Sequence, residues 1–349
     1  MLIRAQRNKI PPSSVFFMLF ISRLVVSMTT TQSVTTGVIR TDMVISVLGA
    51  MLIASLLCIP VVVCVKKGKN PFDVGWLRVL YGIYFIFLAG LNISRFSYFA
   101  STMLNPNANA WVFMLLVSFC AFYGAYVGIE ALSRFSSFAF VLLAIAIVTV
   151  LASNVKNYNE LNLYPIISSS TKNIVTNIFI MTASTSELAL FLCLSEKVNG
   201  IAVKQLGCSI VCVFTVIALL FLFSVAVMGE YAAQQSFPLY FLFQQAKPGG
   251  FERIDVLHIS FWILGVFVKA ALLVYCSSVS FGKISQKNSA IISAVGSFAA
   301  AMIVSKIFQS GNVSILPVVI SFAAFCFVIP AAVLIFKKRS SSNESIGNM

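Results

Sequence analysis

The chain has 349 residues, of which 59% are hydrophobic and only 10% charged, with a mean hydropathy of +0.97. A soluble domain carries about 25% charged residues, so this set cannot cover a globular surface. A water-soluble enzyme, a nucleic-acid-binding domain and a disordered chain are excluded, and the net charge of +14 becomes a question of membrane sides.

A helix needs about 20 mostly apolar residues to cross a bilayer core. Ten stretches qualify in chain order: 14–34, 43–65, 77–103, 111–127, 132–151, 174–194, 206–228, 256–279, 290–308 and 313–336. Turn and breaker residues separate them, for example at 66–71, 105–109, 154–173, 247–250 and 309–312. The segments of about ten residues with alternating polarity that mark a β-barrel are absent. The first stretch is too long for a cleaved leader and no small-residue cleavage site follows it, so it reads as a span. The expected fold is an all-α integral membrane protein of ten transmembrane helices.

Alternating the spans from a cytoplasmic N-terminus places 15 Lys and Arg side chains inside and 6 outside. The inner set includes Arg4, Arg7, Lys9, Lys66, Lys67, Lys69, Lys337, Lys338 and Arg339; the outer set is Arg40, Lys156, Lys172, Lys247, Arg253 and Lys306. This is the positive-inside pattern with both termini cytoplasmic. All 8 cysteines fall within spans, where they read as small packing residues and not as a disulfide framework.

Ten spans divide into two sets of five, and because five is odd the second set enters from the opposite side, as an inverted repeat. The expected organisation is a short cytoplasmic segment at 1–13, a first repeat at 14–153, an outer loop at 154–173, a second repeat at 174–336 with a further outer loop at 229–255, and a cytoplasmic tail at 337–349. The span that opens each half carries a dense polar run. The first has Ser27, Thr29, Thr30, Thr31, Gln32 and Ser33; the sixth has Thr182, Ser184, Thr185, Ser186 and Glu187. Matching polar interruptions point to a central site, because an unwound helix offers backbone groups to a ligand and hydroxyls satisfy those groups when it is empty. Neither run contains Gly or Pro, which favours a continuous first helix. Isolated Ser and Thr in spans serve helix packing instead; two clusters at equivalent places favour a site.

Four charges lie deep in spans: Arg23, Arg95, Glu187 and Lys269. An ionised group at mid-bilayer costs about 3 kcal/mol or more, so such residues face a bundle interior and take partners. Arg95, in the outer third of its span, has room to snorkel outward. The other three are nearer mid-span, and Glu187 and Lys269 are the two that can carry a proton. One carboxylate leaves a formal excess of +2: either backbone dipoles and a bound anion offset it, or Lys269 is neutral in some states. The outer loop at 229–255 reads as a short interfacial helix and a turn: a lid, a docking surface or an interfacial connection. The sole histidine, His258, stands at the outer interface. No nucleotide loop, zinc spacing or nucleophile elbow is present, so no enzyme activity, cofactor or metal is expected.

Several landmarks resemble the spore germination permeases, the B subunits of nutrient germinant receptors, within the amino acid–polyamine–organocation transporter superfamily. They are Gly128-Ile129-Glu130-Ala131-Leu132-Ser133-Arg134, then Asn162-Leu163-Tyr164-Pro165, Glu187, and the tract from Phe237-Pro238 through Phe251-Glu252-Arg253 to Trp262, Lys269 and Tyr275. Arg95 matches an arginine usual in the third span. The resemblance covers almost the whole chain and implies an inverted five-plus-five fold in the spore inner membrane. It also implies an A subunit and a lipoprotein C subunit as partners, and a small nutrient site among the first, third, sixth and eighth spans. The chain departs from the family in two places: the first span lacks a Gly-rich stretch and carries Arg23, and Ser97 and Tyr98 follow Arg95 where an acidic residue often stands. The resulting expectation is a receptor subunit that binds an amino acid or other small nutrient through Thr29, Thr30, Thr31, Gln32, Tyr98, Ser184, Thr185, Ser186 and Glu187. The alternative is a proton-coupled amino acid permease using Glu187 or Lys269. Expected partners are the nutrient, the A and C subunits and membrane lipid, with no nucleic acid.

Overall fold

The computed structural model describes residues 9–29, 40–246, 255–282, 284–309 and 315–336. Helices dominate these residues because the apolar runs leave no water to satisfy backbone groups, and a helix bonds them internally. The helices are α1 Pro12–Met28, α2 Asp42–Lys66, α3 Gly75–Phe99, α4 Ala110–Val127, α5 Ile129–Asn154, α6 Thr171–Ala183, α7 Glu187–Leu194, α8 Val203–Met228, α9 Glu230–Gln234, α10 Pro238–Gln245, α11 Asp255–Ser280, α12 Gln286–Gln309, α13 Leu316–Phe322 and α14 Ile329–Phe336. Counting α6–α7 and α13–α14 as one span each, nine described helical segments are long and apolar enough to cross a membrane. The tenth apolar element, α1, has 17 residues, the lower edge of the crossing range. Of the expected first span, residues 30–34 lie outside the described set, as do 247–254 and Lys337, Lys338 and Arg339.

The packing mirrors itself across the two halves. Helix α3 lies on α12, and its counterpart α11 lies on α4; α2 lies on α6, and its counterpart α8 lies on α1. Each of the first two contacts has a glycine at its centre. A Cβ on Gly90 of α3 would stand 2.5 Å from the Cβ of Ala300, and one on Gly124 of α4 would stand 2.8 Å from the Cβ of Ala271. Close approach through small residues is how helices associate where lipid removes the hydrophobic drive.

The symmetry is looser at the tenth span. α5 packs directly on α11, whereas the tenth span reaches α3 through long side chains. Tyr84 stacks on Phe325 with ring centroids 4.3 Å apart, and the Tyr81 hydroxyl donates to the Phe325 carbonyl at 2.6 Å. That carbonyl belongs to the π-helical turn Ala323–Val328 between α13 and α14, just before Pro330, which has no N–H to continue the ladder.

The loop expected as an interfacial helix is instead packed down. Phe237, Leu239, Leu242 and Phe243 at and within α10 are buried, and α10 touches α8, α11, α1 and α5. The cysteines fall in helices as expected, but Cys120, Cys208 and Cys212 face outward instead of packing inside.

Candidate functional site

The sixth span breaks where its polar run lies. α6 ends at Ala183, residues 184–186 form a turn, and α7 starts at Glu187. No Gly or Pro is needed: hydroxyls bond back to the last carbonyls of α6, and Met181 O, whose backbone partner is lost when Thr185 N turns to Thr182 O, is taken by the Thr185 hydroxyl. Ser184 Oγ donates to Ile180 O at 2.9 Å, Thr182 Oγ1 to Ile178 O at 2.8 Å, and Thr185 Oγ1 to Met181 O at 3.4 Å. Ser and Thr compete with the backbone in this way, which disfavours an uninterrupted helix. The first span does not break within its described part: α1 runs continuously to Met28, and its polar run begins at the helix end. Thr29 is buried and donates to Val26 O at 3.1 Å. Thr30, Thr31 and Gln32 lie outside the described residues.

Three of the four intramembrane charges meet at this break. Lys269 of α11 and Glu187 form an ion pair with Nζ and Oε1 3.1 Å apart, and their residues are 4% and 2% exposed. Lys269 also donates to the backbone carbonyl of Ser22 at 2.9 Å and reaches Ser186 Oγ at 3.4 Å. Ser22 Oγ in turn donates to Glu187 Oε1 at 2.6 Å. The ammonium thus ties α11, α1 and the start of α7 together. Arg23 points to the other end of the break: its guanidinium donates to Met181 O at 3.2 Å and lies over the Phe214 ring, 4.8 Å from the centroid.

Beside the pair runs a crevice of about 30 Å³ lined by Val26, Leu88, Leu91, Asn92, Arg95, Ala183, Ser184, Ser186, Lys269 and Val318. Its walls come from α1, α3, the sixth-span break, α11 and α13. Arg95 is half-buried and lines this space, with its Nε buried. Asn92, one turn earlier on α3, is a site residue the sequence reading passed over; its signal was a lone amide in an apolar span. Ser22 was also missed, since its role depends on Lys269 arriving from a distant span. Among the described residues, Asn92 Nδ2, Arg95 Nε, Arg23 Nε and Glu187 Oε2 are buried without a hydrogen-bond partner. Tyr98 is not brought to the crevice. It is 39% exposed, with its ring 6.0 Å from that of Phe237.

Further contacts tie together the elements around the break. Toward the expected outer face, Phe99 meets Trp262, Phe237 and Tyr240 at centroid distances of 4.8, 5.1 and 5.4 Å. Trp262 Nε1 donates to Val25 O at 3.3 Å. Toward the expected inner face, Ile10 pairs with the segment after α7: Ile10 N donates to Lys197 O and Asn199 N to Ile10 O, at 2.9 and 3.0 Å. Asn70 adds a bond to Leu192 O at 3.0 Å. The arrangement offers hydrogen-bond donors and a buried Lys–Glu pair beside a small crevice. Among the described residues, no group of three or more His, Cys, Asp or Glu side chains is placed to hold a metal ion.

Residues 9–314 match the sequence family described as spore germination protein. No curated protein is significantly similar in sequence. Among solved structures, the chain is similar to a Na+-coupled sialic acid symporter in a substrate-bound outward-open state, with a TM-score of 0.62 and 15% identity over 92% of this chain and 80% of that one. It is similar to MHP1, a nucleobase-cation-symport-1 family transporter in a closed conformation with bromovinylhydantoin bound, with a TM-score of 0.61 and 13% identity over 91% and 75%. MhsT in complex with L-phenylalanine aligns with a TM-score of 0.56 and 14% identity over 91% and 87%. At these identities the likeness is one of fold, that of transporters built from inverted repeats around a discontinuous helix.

Proposed function

The chain belongs to the spore germination protein family, and we propose that within it this protein is the nutrient-sensing B subunit of a germinant receptor in the spore inner membrane. The observation that carries the reading is the broken sixth span, where Glu187, Lys269 and Ser22 bind one another beside a crevice with donors left over. The ligand is an amino acid or similarly small nutrient, held at the level of residues 184–187. The transporters that share the fold bind sialic acid, a hydantoin and phenylalanine, each a small polar molecule. At about 30 Å³ the crevice has room for about one water-sized group, so a nutrient enters only if α1, α3, α6–α7, α11 and the tenth span move apart. That obligatory movement is the signal we assign to the A and C subunits: a ligand that binds only the opened state shifts the population toward it.

A second reading is a proton-coupled amino acid permease. The Lys269–Glu187 pair favours it, because both groups can exchange a proton and both stand at the break. Radiolabelled amino acid uptake into proteoliposomes holding this chain alone separates the two. The receptor reading expects saturable binding with no accumulation above passive leak; accumulation driven by a proton gradient establishes the permease instead.

A further inference from the structure

Charge around the broken sixth span does not balance. Arg23, Arg95 and Lys269 bring three cations, and Glu187, the sole carboxylate deep in a span, is engaged by Lys269. Residues 30–39, which complete the polar run of the first span, contain no acidic side chain. The Arg95 guanidinium lies within electrostatic reach of Arg23, yet no described residue accepts a hydrogen bond from it. A half-buried guanidinium inside a helix bundle is costly when it lacks both a counter-charge and hydrogen-bond acceptors.

Arg95 also has company suited to an anion. Asn92 lies three residues before it on α3, on the same face; it is 8% exposed, and its Nδ2 is buried with no partner among the described residues. Both side chains line the crevice, and the opposite wall carries the hydroxyls of Ser184 and Ser186. Arg95, Asn92 and Ser186 can each donate, whereas the Ser184 hydroxyl already donates to Ile180 O, and the nearest carboxylate already serves Lys269. The space of about 30 Å³ matches a monatomic anion or a single carboxylate group and excludes a whole amino acid.

We propose that the crevice is an anion subsite, in which Arg95 and Asn92 bind one negative group, with the Ser186 hydroxyl completing the shell. The group is a halide or the carboxylate of the nutrient itself; Arg presents a planar fork of donors that fits either, and fits a carboxylate with two parallel bonds. This deepens the reading above by stating what class of group the site takes. It also explains how a site with a formal excess of positive charge persists in a membrane: the anion is part of the resting site, and a carboxylate ligand would replace it.

The test uses the full chain in lipid nanodiscs, freed of halide in sodium gluconate, with the thermal midpoint followed by tryptophan fluorescence. Sodium chloride is titrated first, then a pool of the common L-amino acids, then the same pool as amides. The expected result is a saturable rise in midpoint with chloride that gluconate does not give. Arg95→Gln weakens it by at least about tenfold, as loss of a hydrogen bond to a charged group does, and Arg78→Gln at the helix end leaves it unchanged. Arg95→Lys guards against misfolding: it keeps the charge, retains the chloride response and weakens binding of the acid pool. Stabilisation by amino acids alone, absent with amides and lost in Arg95→Gln, also sustains the proposal and names the carboxylate as the source. The proposal is overturned if neither anion acts, or if Arg95→Gln responds to both as the parent does. Amides that bind as well as acids, insensitive to Arg95→Gln but lost in Glu187→Gln, would remove the anion subsite while leaving nutrient recognition in place. Chloride binding without any response to acids or amides would do the reverse.

Discussion

Replacing Glu187 by Gln removes the only carboxylate from a cluster of three buried cations. At 3.1 Å from Lys269 Nζ, the attraction lost is about 5 kcal/mol at an effective dielectric of 20. Part of this is offset, because the parent pair bears the cost of leaving water. Removing one partner of a buried pair costs about 3–5 kcal/mol, whereas replacing both is far milder. The two single substitutions are therefore unequal. Glu187→Gln leaves Lys269 facing Arg23 and Arg95 with no anion, and about 3 kcal/mol of destabilisation is expected. Lys269→Met leaves Glu187 with the Ser22 hydroxyl at 2.6 Å and the charge of Arg23 nearby, so about half that loss is expected. The double variant should be no worse than Glu187→Gln alone, giving a coupling of about 1–2 kcal/mol. Reversible thermal or denaturant unfolding of the four proteins in one detergent measures the cycle. Equal single losses that simply add would refute the reasoning.

Three further substitutions test the packing and the surface. Gly90→Ala should destabilise by about 1–3 kcal/mol, because the new Cβ meets Ala300 Cβ at 2.5 Å and the Ala301 backbone at 2.9 Å; Gly207→Ala in α8, with nothing within 4 Å, should be neutral or stabilising by up to about 1 kcal/mol, and unfolding midpoints decide between them. Neutralising Glu230, whose pair with Arg40 spans 3.3 Å with side chains 81% and 40% exposed, should shift stability by less than about 1 kcal/mol; a larger shift in the same unfolding assay would mean the expected outer loops are clamped by that pair.

Much of this architecture is legible in the sequence, because apolar length alone sets where helices form in a bilayer. The break in the sixth span was visible as a run of hydroxyl residues around Glu187. Its mechanism, with Ser184 and Thr185 bonding back to Ile180 and Met181, explains why Gly and Pro were dispensable. Meeting of Glu187 with Lys269 was implied by the need of each buried charge for a partner. The carbonyl of Ser22 as a further acceptor was not visible, since a backbone group carries no sequence signature. Asn92 was overlooked because one amide in an apolar run has no pattern, and its meaning comes from facing the same crevice as Arg95. Tyr98 shows the converse: three residues beyond Arg95, it turns toward Phe237 and away from the crevice. α10 was read as interfacial from its apolar composition, but its aromatic residues close over Phe99 and Trp262 and are buried there.

The central claim is that a small nutrient occupies the crevice at the broken sixth span. The most direct measurement is calorimetric titration of a panel of amino acids and other small nutrients into the nanodisc-bound chain, compared with Ser184→Leu, which fills the crevice with apolar bulk. The account predicts saturable binding of at least one nutrient to the parent and its loss, by more than about a hundredfold, in the filled variant. Binding of equal affinity to both proteins would place the nutrient elsewhere and contradict the account.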